Sequence, residues 1–178
     1  MNRAIKKAIL IALIFSLVYF IVTNLFIFPC KIEGMSMFPT MAPNEIKLSN
    51  RWKVITKQSL NRGDIVLIEE PSETYISKEE FNSQNLLAKY GKVNYNPFRT
   101  RYVKRIIGIS GDYIQITEEN ELYLNGEKIG YALKADYMFV DLIVPENSIY
   151  VLGDNRQDST DSRSFGCVPI DKVYSVLF

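Results

Sequence analysis

An uncharged segment of 23 residues near the N-terminus limits the folds open to this chain. No charged residue lies between Ala8 and Cys30, and Ile9 to Phe28 alone supplies 20 residues. A helix of that length rises about 30 Å, roughly the thickness of a bilayer's hydrocarbon core. Pro29 is expected to end the helix. We predict that residues 1–30 form a short cytoplasmic N-terminus and one transmembrane anchor.

The charges beside this segment predict its orientation. Arg3, Lys6 and Lys7 precede it without an acidic residue, so the positive-inside rule places the N-terminus in the cytoplasm. Residues 31–178 are then expected outside the membrane. A cleaved secretory signal is the first alternative, but its apolar stretch is typically about 7–15 residues and ends at a small-x-small site, absent here. A buried helix of a soluble domain is the second alternative, and it fits a terminal segment that is apolar on all sides poorly.

Composition excludes several classes of function. The net charge of +1 excludes a strongly basic nucleic-acid surface, and two cysteines exclude a disulfide framework or a cysteine-rich zinc site. The chain contains no histidine, which excludes Ser-His-Asp and Cys-His catalysis within it. A hydrolase of this composition would need a lysine, carboxylate or tyrosine as its base. We predict no cofactor and no metal site.

The residues after the anchor predict a mainly β domain. Short segments that are often alternating and rich in β-branched and aromatic residues indicate strands. They are Glu45–Leu48, Asp64–Glu69, Tyr102–Ser110, Tyr113–Thr117, Leu122–Leu124, Ile149–Leu152 and Val173–Phe178. Asn125-Gly126 is a strong hairpin signal. We predict a folded-over antiparallel sheet or barrel-like domain, with residues 71–99 as an inserted arm that carries one short helix.

One candidate nucleophile follows the anchor closely. Ser36 lies between Met35 and Met37, with Gly34 and Pro39 nearby. The glycine permits close backbone approach and the proline fixes the chain that follows. By itself this pattern is more typical of a polar turn residue.

A candidate base lies in an otherwise apolar strand. Alternation along residues 102–110 places either Lys104 or Arg105 on the buried face. A buried lysine has a lowered pKa and becomes a usable base. A solvent-facing strand lysine is the alternative interpretation of this segment.

A third polar cluster occupies residues 152–166. Its Asp, Arg and Ser side chains can form a hydrogen-bonded network that holds a neighbouring side chain. Its spacing differs from an EF-hand loop and lacks the required Glu, so calcium binding is not expected.

Together these segments resemble the type I signal peptidases, membrane-bound Ser-Lys proteases that remove signal peptides. The resemblance covers nearly the whole chain and is closest to short forms from Gram-positive bacteria. It is carried by four motifs in the family's order: GMSMFPT at 34–40, RGDIV at 62–66, YVKRIIGISGD at 102–112 and GDNRQDSTDSRSFG at 153–166.

The resemblance implies a role for each matching residue. Ser36 corresponds to the nucleophile and Lys104 to the general base. Ser159 corresponds to the hydroxyl that orients the lysine amine. Asp161 and Arg163 correspond to the pair that supports the last loop.

The resemblance also implies a substrate site. Ile32, Met37 and Val103 correspond to residues that line the pockets for small side chains at positions −1 and −3 of the preprotein. The family's oxyanion hole uses the backbone N–H of the nucleophile, here Ser36. Gly34 stands where some members have a serine that adds a hydroxyl donor.

The implied function is that of signal peptidase I, a serine endopeptidase in the cell membrane that cleaves exported preproteins. Its expected partners are preprotein signal peptides and membrane lipid, without nucleic acid; contact with the secretion machinery is left open. The alternatives are a non-processing assembly factor and a specialised peptidase for a subset of surface proteins. A self-cleaving Ser-Lys repressor would carry a DNA-binding domain where this chain carries its apolar segment.

Overall fold

A computed structural model describes residues 3–21, 27–56, 59–69, 101–132 and 140–178 of the chain. Eleven strands in two antiparallel sheets dominate the secondary structure of these residues, so the prediction of a mainly β chain is confirmed. The predicted arm at 71–99 and its helix lie outside the described residues.

The secondary structure of the described residues comprises three α-helices, one 3-10 helix (Ile170–Lys172) and eleven strands. The helices are α1 (Arg3–Ile21), α2 (Trp52–Ile55) and α3 (Ser162–Phe165). The strands are β1 (Ile27–Lys31), β2 (Ile46–Asn50), β3 (Ile65–Glu69), β4 (Arg101–Ile109), β5 (Tyr113–Ile116), β6 (Glu121–Leu124), β7 (Glu127–Tyr131), β8 (Val140–Ile143), β9 (Ser148–Leu152), β10 (Val168–Pro169) and β11 (Val173–Leu177).

The strands divide into a large and a small sheet. The large sheet has the order β1-β2-β11-β3-β4-β9-β10, and the small sheet has the order β7-β6-β5-β8. The described strands therefore form two sheets with edge strands rather than one closed barrel. The nine-residue strand β4 pairs with β3 on one side and β9 on the other, which places its middle at the centre of the large sheet.

Both faces of the large sheet are covered. Along β3, Val66 and Ile68 pack into one cluster, whereas Leu67 packs into another cluster with residues of the loop after β1. Strand β9 alternates in the same way, and Tyr150 and Leu152 pack toward the small sheet. This two-residue period is that of a strand buried on both faces.

The N-terminal segment differs from its prediction at one end. Phe28 and Pro29 belong to strand β1, which pairs with β2 from Ile27 to Lys31, so the predicted continuation of the helix to Phe28 is wrong. Proline is tolerated there because β1 is an edge strand, where a missing N–H costs least. Among the described residues, no helix combines the length and apolarity needed to cross a membrane.

The predicted hairpin is confirmed, and further strands were missed. Asn125 and Gly126 have φ of 52° and 86° and connect β6 to β7, as a type I′ turn requires. Strands β1, β7, β8 and β10 were not predicted. All four form sheet edges, and edge strands carry a weaker apolar pattern because only part of each is buried.

Candidate active site

Ser36 lies in a series of turns that follows β1. Gly34 has φ of 78°, a left-handed conformation that favours glycine and reverses the chain before the serine. The Phe38 N–H donates to the Met35 carbonyl at 3.0 Å, which closes the turn around Ser36. Met37 is buried and anchors the loop to the large sheet. The Ser36 side chain is left half-buried.

Lys104 reaches the serine from the middle of β4. Its Cα lies opposite that of Val66 in β3, and only 1% of the residue is exposed. The Lys104 Nζ atom lies 2.8 Å from the Ser36 Oγ atom. The structure therefore brings together the two residues for which the sequence predicted nucleophile and base.

The environment of Lys104 favours its neutral form. Burial lowers the pKa of the Lys104 amine to about 8. The charges of Asp161 and Asp158 raise this pKa and the charge of Arg163 lowers it, but burial is the largest effect. A substantial fraction of the amine is thus neutral at mildly alkaline pH. The protonated amine donates to Ser36 Oγ, whereas the neutral amine offers a lone pair to the hydroxyl proton.

Arg105, the alternative buried residue of β4, has a different role. Its guanidinium makes two hydrogen bonds with the Asp154 carboxylate, at 2.8 and 2.7 Å, and a third with the Gly63 carbonyl at 2.9 Å. Burial raises the pKa of Asp154, whereas hydrogen bonds from Arg105 and Thr40 lower it. The lowering effects together are larger, so the pKa of Asp154 lies below its ordinary value. Arg105 therefore ties β4 to the loops on either side of the dyad.

Asn155 holds the nucleophile loop directly. Its backbone N–H donates to the Ser36 carbonyl at 3.0 Å, and its Nδ2 donates to the Met35 carbonyl at 3.2 Å. No role was predicted for Asp154 or Asn155 from the sequence. The only signal for them was their position at the start of the motif at 153–166.

Asp161 and Arg163 form a buried ion pair, as the family pattern implied. The Arg163 Nε and Nη2 atoms donate to the two Asp161 oxygens, each at 2.8 Å. Asp161 also caps α3 and accepts from the Gly153 N–H at 3.0 Å. Arg163 donates to the Ala132 carbonyl, which links the small sheet to this loop. The pair thus holds residues 153–163 in one conformation.

Ser159 lies in this loop without its expected contact. The residue is buried, and its Oγ makes no hydrogen bond with any group in the described part of the chain. The orienting bond to the Lys104 amine is therefore not formed. Ser159 packs against Gly153, whose backbone also adjoins the Ser36 carbonyl, so the hydroxyl remains close to the dyad.

The three predicted pocket residues lie together. Ile32 and Met37 are buried in one apolar cluster, and Val103 packs against it from β4. The cluster lies between the loop that carries Ser36 and the strand that carries Lys104. Metal-ligating geometry is absent from the described residues, where no group of three or more Cys, Asp or Glu side chains converges.

Comparison with known proteins gives consistent matches along the chain. The profile of the signal peptidase family, peptidase S26, matches residues 3–177. A signal peptidase I P of Bacillus subtilis subsp. natto is 31% identical over 172 residues, which cover 89% of this chain and 76% of the relative. A signal peptidase I of Bacillus licheniformis is 32% identical over 182 residues, covering 93% and 80%.

A solved structure also matches. The crystal structure of a signal peptidase I from Enterococcus faecalis has 24% sequence identity and a TM-score of 0.45, and the match covers 68% of this chain and 98% of that chain.

Proposed function

Because the chain belongs to the signal peptidase family, peptidase S26, we propose that it removes N-terminal signal peptides from exported preproteins with Ser36 as nucleophile and Lys104 as base. The observation that carries this proposal is the 2.8 Å distance between Lys104 Nζ and Ser36 Oγ at the end of a largely buried lysine side chain. Hydrogen-bond distance between nucleophile and base is the first geometric requirement of this chemistry.

Acylation begins with the neutral Lys104 amine. The Ser36 Oγ attacks the scissile carbonyl carbon while its proton passes to Lys104 Nζ, and the carbonyl π electrons move to the oxygen. The oxyanion then re-forms the carbonyl, the C–N bond breaks, and Lys104 returns the proton to the leaving amine. The mature protein departs with a free N-terminus, and the signal peptide remains as an ester on Ser36.

Deacylation reuses the same lysine. Neutral Lys104 takes a proton from a water molecule, whose oxygen attacks the ester carbonyl. The second tetrahedral intermediate collapses, and Lys104 returns the proton to Ser36 Oγ. The same base serves both half-reactions, which suits a chain without histidine.

The apolar cluster beside the dyad supports binding of an extended substrate. Alternate side chains of an extended peptide point the same way, so residues −1 and −3 face the enzyme together. Ile32, Met37 and Val103 pack in one apolar cluster beside the dyad, and we propose that this cluster receives small apolar side chains such as alanine.

The N-terminal helix supports a location at the membrane. Many of its large apolar side chains are exposed, including Leu13, Phe15 and Leu17. Such an all-round apolar helix is stable in lipid. We assign the segment that precedes β1 to an anchor with a cytoplasmic N-terminus, and we assign the catalytic domain from β1 onward to the outer side of the membrane.

Cleavage of a preprotein by the detergent-solubilised full chain tests the proposal. Wild type should release the signal peptide, whereas Ser36→Ala and Lys104→Ala should each abolish release while retaining the folded state. Ser110→Ala and Lys128→Ala, which alter a serine and a lysine away from the dyad, serve as matched controls. No cleavage by wild type of any exported preprotein from the same cell would instead support a non-processing assembly role.

A further inference from the structure

Asn155 binds two successive carbonyl groups of the nucleophile loop. Its Nδ2 donates to the Met35 carbonyl at 3.2 Å, and its backbone N–H donates to the Ser36 carbonyl at 3.0 Å. The Met35 carbonyl also accepts from the Phe38 N–H at 3.0 Å. Two donors from different segments therefore fix the plane of the peptide bond between Met35 and Ser36.

The direction of the Ser36 N–H follows from that plane. In a planar trans peptide the C=O of one residue and the N–H of the next point in opposite directions. The Met35 C=O points toward Asn155, so the Ser36 N–H points away from it. Within the described ranges, this N–H donates to no other group. A free, fixed donor beside the nucleophile is what a developing oxyanion requires.

Asn155 is itself held in place. Its carbonyl accepts from the Asp158 N–H at 3.1 Å, which closes a turn. The preceding residue, Asp154, is bound by the Arg105 guanidinium, and Gly153 is bound by Asp161. The side-chain amide thus projects from a rigid loop, and its orientation is passed on to the peptide bond that it binds.

We propose that Asn155 is a positioning residue that aims the Ser36 backbone N–H at the oxyanion of the scissile carbonyl. The inference rests on the proposed function, since it assumes that Ser36 is the nucleophile. Gly34 provides no side-chain donor, so the backbone N–H carries more of the oxyanion stabilisation and its direction matters more. Asn155 acts through Ser36 and touches no reacting atom.

Steady-state kinetics of Asn155→Ala and Asn155→Asp test this role. Asp has the shape of Asn but lacks the Nδ2 donor, and Gln157→Ala is a control on an exposed residue of the same loop. Loss of an oxyanion donor lowers kcat by about 10²–10³-fold. A misdirected donor should lower kcat by about 10–100-fold, with KM unchanged within about twofold, and Gln157→Ala should match wild type.

A pair of inhibitors separates oxyanion stabilisation from substrate binding. A peptide aldehyde with the substrate's sequence up to position −1 forms a tetrahedral adduct with Ser36, whereas the matched peptide alcohol binds without one. Both Asn155 variants should lose affinity for the aldehyde by the same factor as kcat, while their affinity for the alcohol stays as in wild type. The pH midpoint of kcat should not move in Asn155→Ala, because this substitution leaves the charges around Lys104 unchanged.

Each other result overturns the proposal. Full kcat in Asn155→Asp would show that the donor is dispensable, and equal loss of aldehyde and alcohol affinity would place the effect in substrate binding. A shifted pH midpoint in Asn155→Ala would show that the loss of rate arises from a change at Lys104. If wild type itself does not prefer the aldehyde, or if Ser36→Ala retains that preference, the proposed nucleophile is wrong, and the role of Asn155 falls with it.

Discussion

The backbone of Gly153 passes so close to Ser159 that no side chain fits between them. A Cβ atom at Gly153 would lie 2.6 Å from the Ser159 Cβ, still closer to its Oγ, and 2.6 Å from the Ser36 carbonyl oxygen. Real Cβ atoms essentially never make such contacts. The absence of a side chain at Gly153 thus allows the loop that carries Ser159 and the loop that carries Ser36 to meet.

Gly153→Ala should therefore disturb the dyad as well as the fold. Forcing a methyl group into a closely packed site costs about 1–3 kcal/mol, and here it separates Ser36 from its supporting loop. We expect a lower melting temperature and a kcat reduced by at least about tenfold. Thermal unfolding and preprotein cleavage are the measurements.

A double variant tests whether the clash with Ser159 causes the loss of stability in Gly153→Ala. Adding Ser159→Gly to Gly153→Ala removes the serine side chain from the clash but leaves the contact with the Ser36 carbonyl. The melting temperature should recover in part. A Gly153→Ala protein with wild-type stability and rate would contradict the packing argument.

The losses of cleavage rate caused by substituting Ser36 and Lys104 should be strongly non-additive. Ser36 and Lys104 act in the same proton transfer, so each alanine substitution should abolish cleavage, and the double variant should be no slower than the worse single variant. Rate constants from long incubations of all four proteins measure this. Near-normal turnover by Lys104→Ala would refute the assignment of the base.

The pH dependence of the rate should report the Lys104 amine. The neutral amine is the reactive form, so kcat/KM should rise with pH through the pKa of about 8 and level off above it. Single-turnover experiments must first establish that chemistry limits the rate. A flat profile from neutral to alkaline pH under these conditions would count against a titrating lysine.

Asp158→Asn tests whether a neighbouring negative charge sets the pKa of the Lys104 amine. The negative charge of Asp158 raises the pKa of Lys104, so its removal should lower that pKa and increase the rate on the acidic side. Because Asp158 is exposed, the shift in pKa should shrink at high salt. Asp171→Asn, remote from the site in sequence and fold, should leave the profile unchanged.

Elements whose pattern depends only on neighbouring residues were predicted best from the sequence. Seven strands were predicted close to their observed positions, because alternation and β-branched residues are read from a few neighbours. Ile27 and Phe28 were wrongly assigned to the helix because an Ile-Phe run is equally apolar in a helix or a strand, and only pairing with β2 decides between them.

The same limit applies to the candidate site. Either Lys104 or Arg105 fitted the buried position, and the choice depends on Asp154, 49 residues from Arg105, which binds the arginine and leaves the lysine to face Ser36. The role of Asn155 is invisible in sequence because its partners are backbone carbonyls, which every residue has.

The ion pair between Arg105 and Asp154 should be more important than an exposed pair. Its guanidinium and carboxylate make two parallel hydrogen bonds and are partly buried. Arg105→Gln or Asp154→Asn should each lower stability by about 1–3 kcal/mol, and Arg105→Lys should not restore it because lysine lacks the planar fork. Urea unfolding measures this, with Lys47→Ala at an exposed pair as a control that changes little.

The last prediction concerns substrate choice. Ile32 and Met37 are almost fully buried, and Val103 packs against them from the strand that carries Lys104. An extended substrate bound beside this strand would direct its −1 side chain toward this tightly packed cluster, and we expect a large side chain to be excluded there. A preprotein with Ala at −1 and −3 should be cut, and Phe at −1 should reduce cleavage by roughly 10²-fold or more. Val103→Ala should enlarge the pocket and raise the rate for Val at −1 relative to Ala. Mass spectrometry of the products from a −1 substitution series would locate the cut bond, and equal cleavage of the Ala and Phe substrates there would refute the pocket while leaving Ser36 as nucleophile.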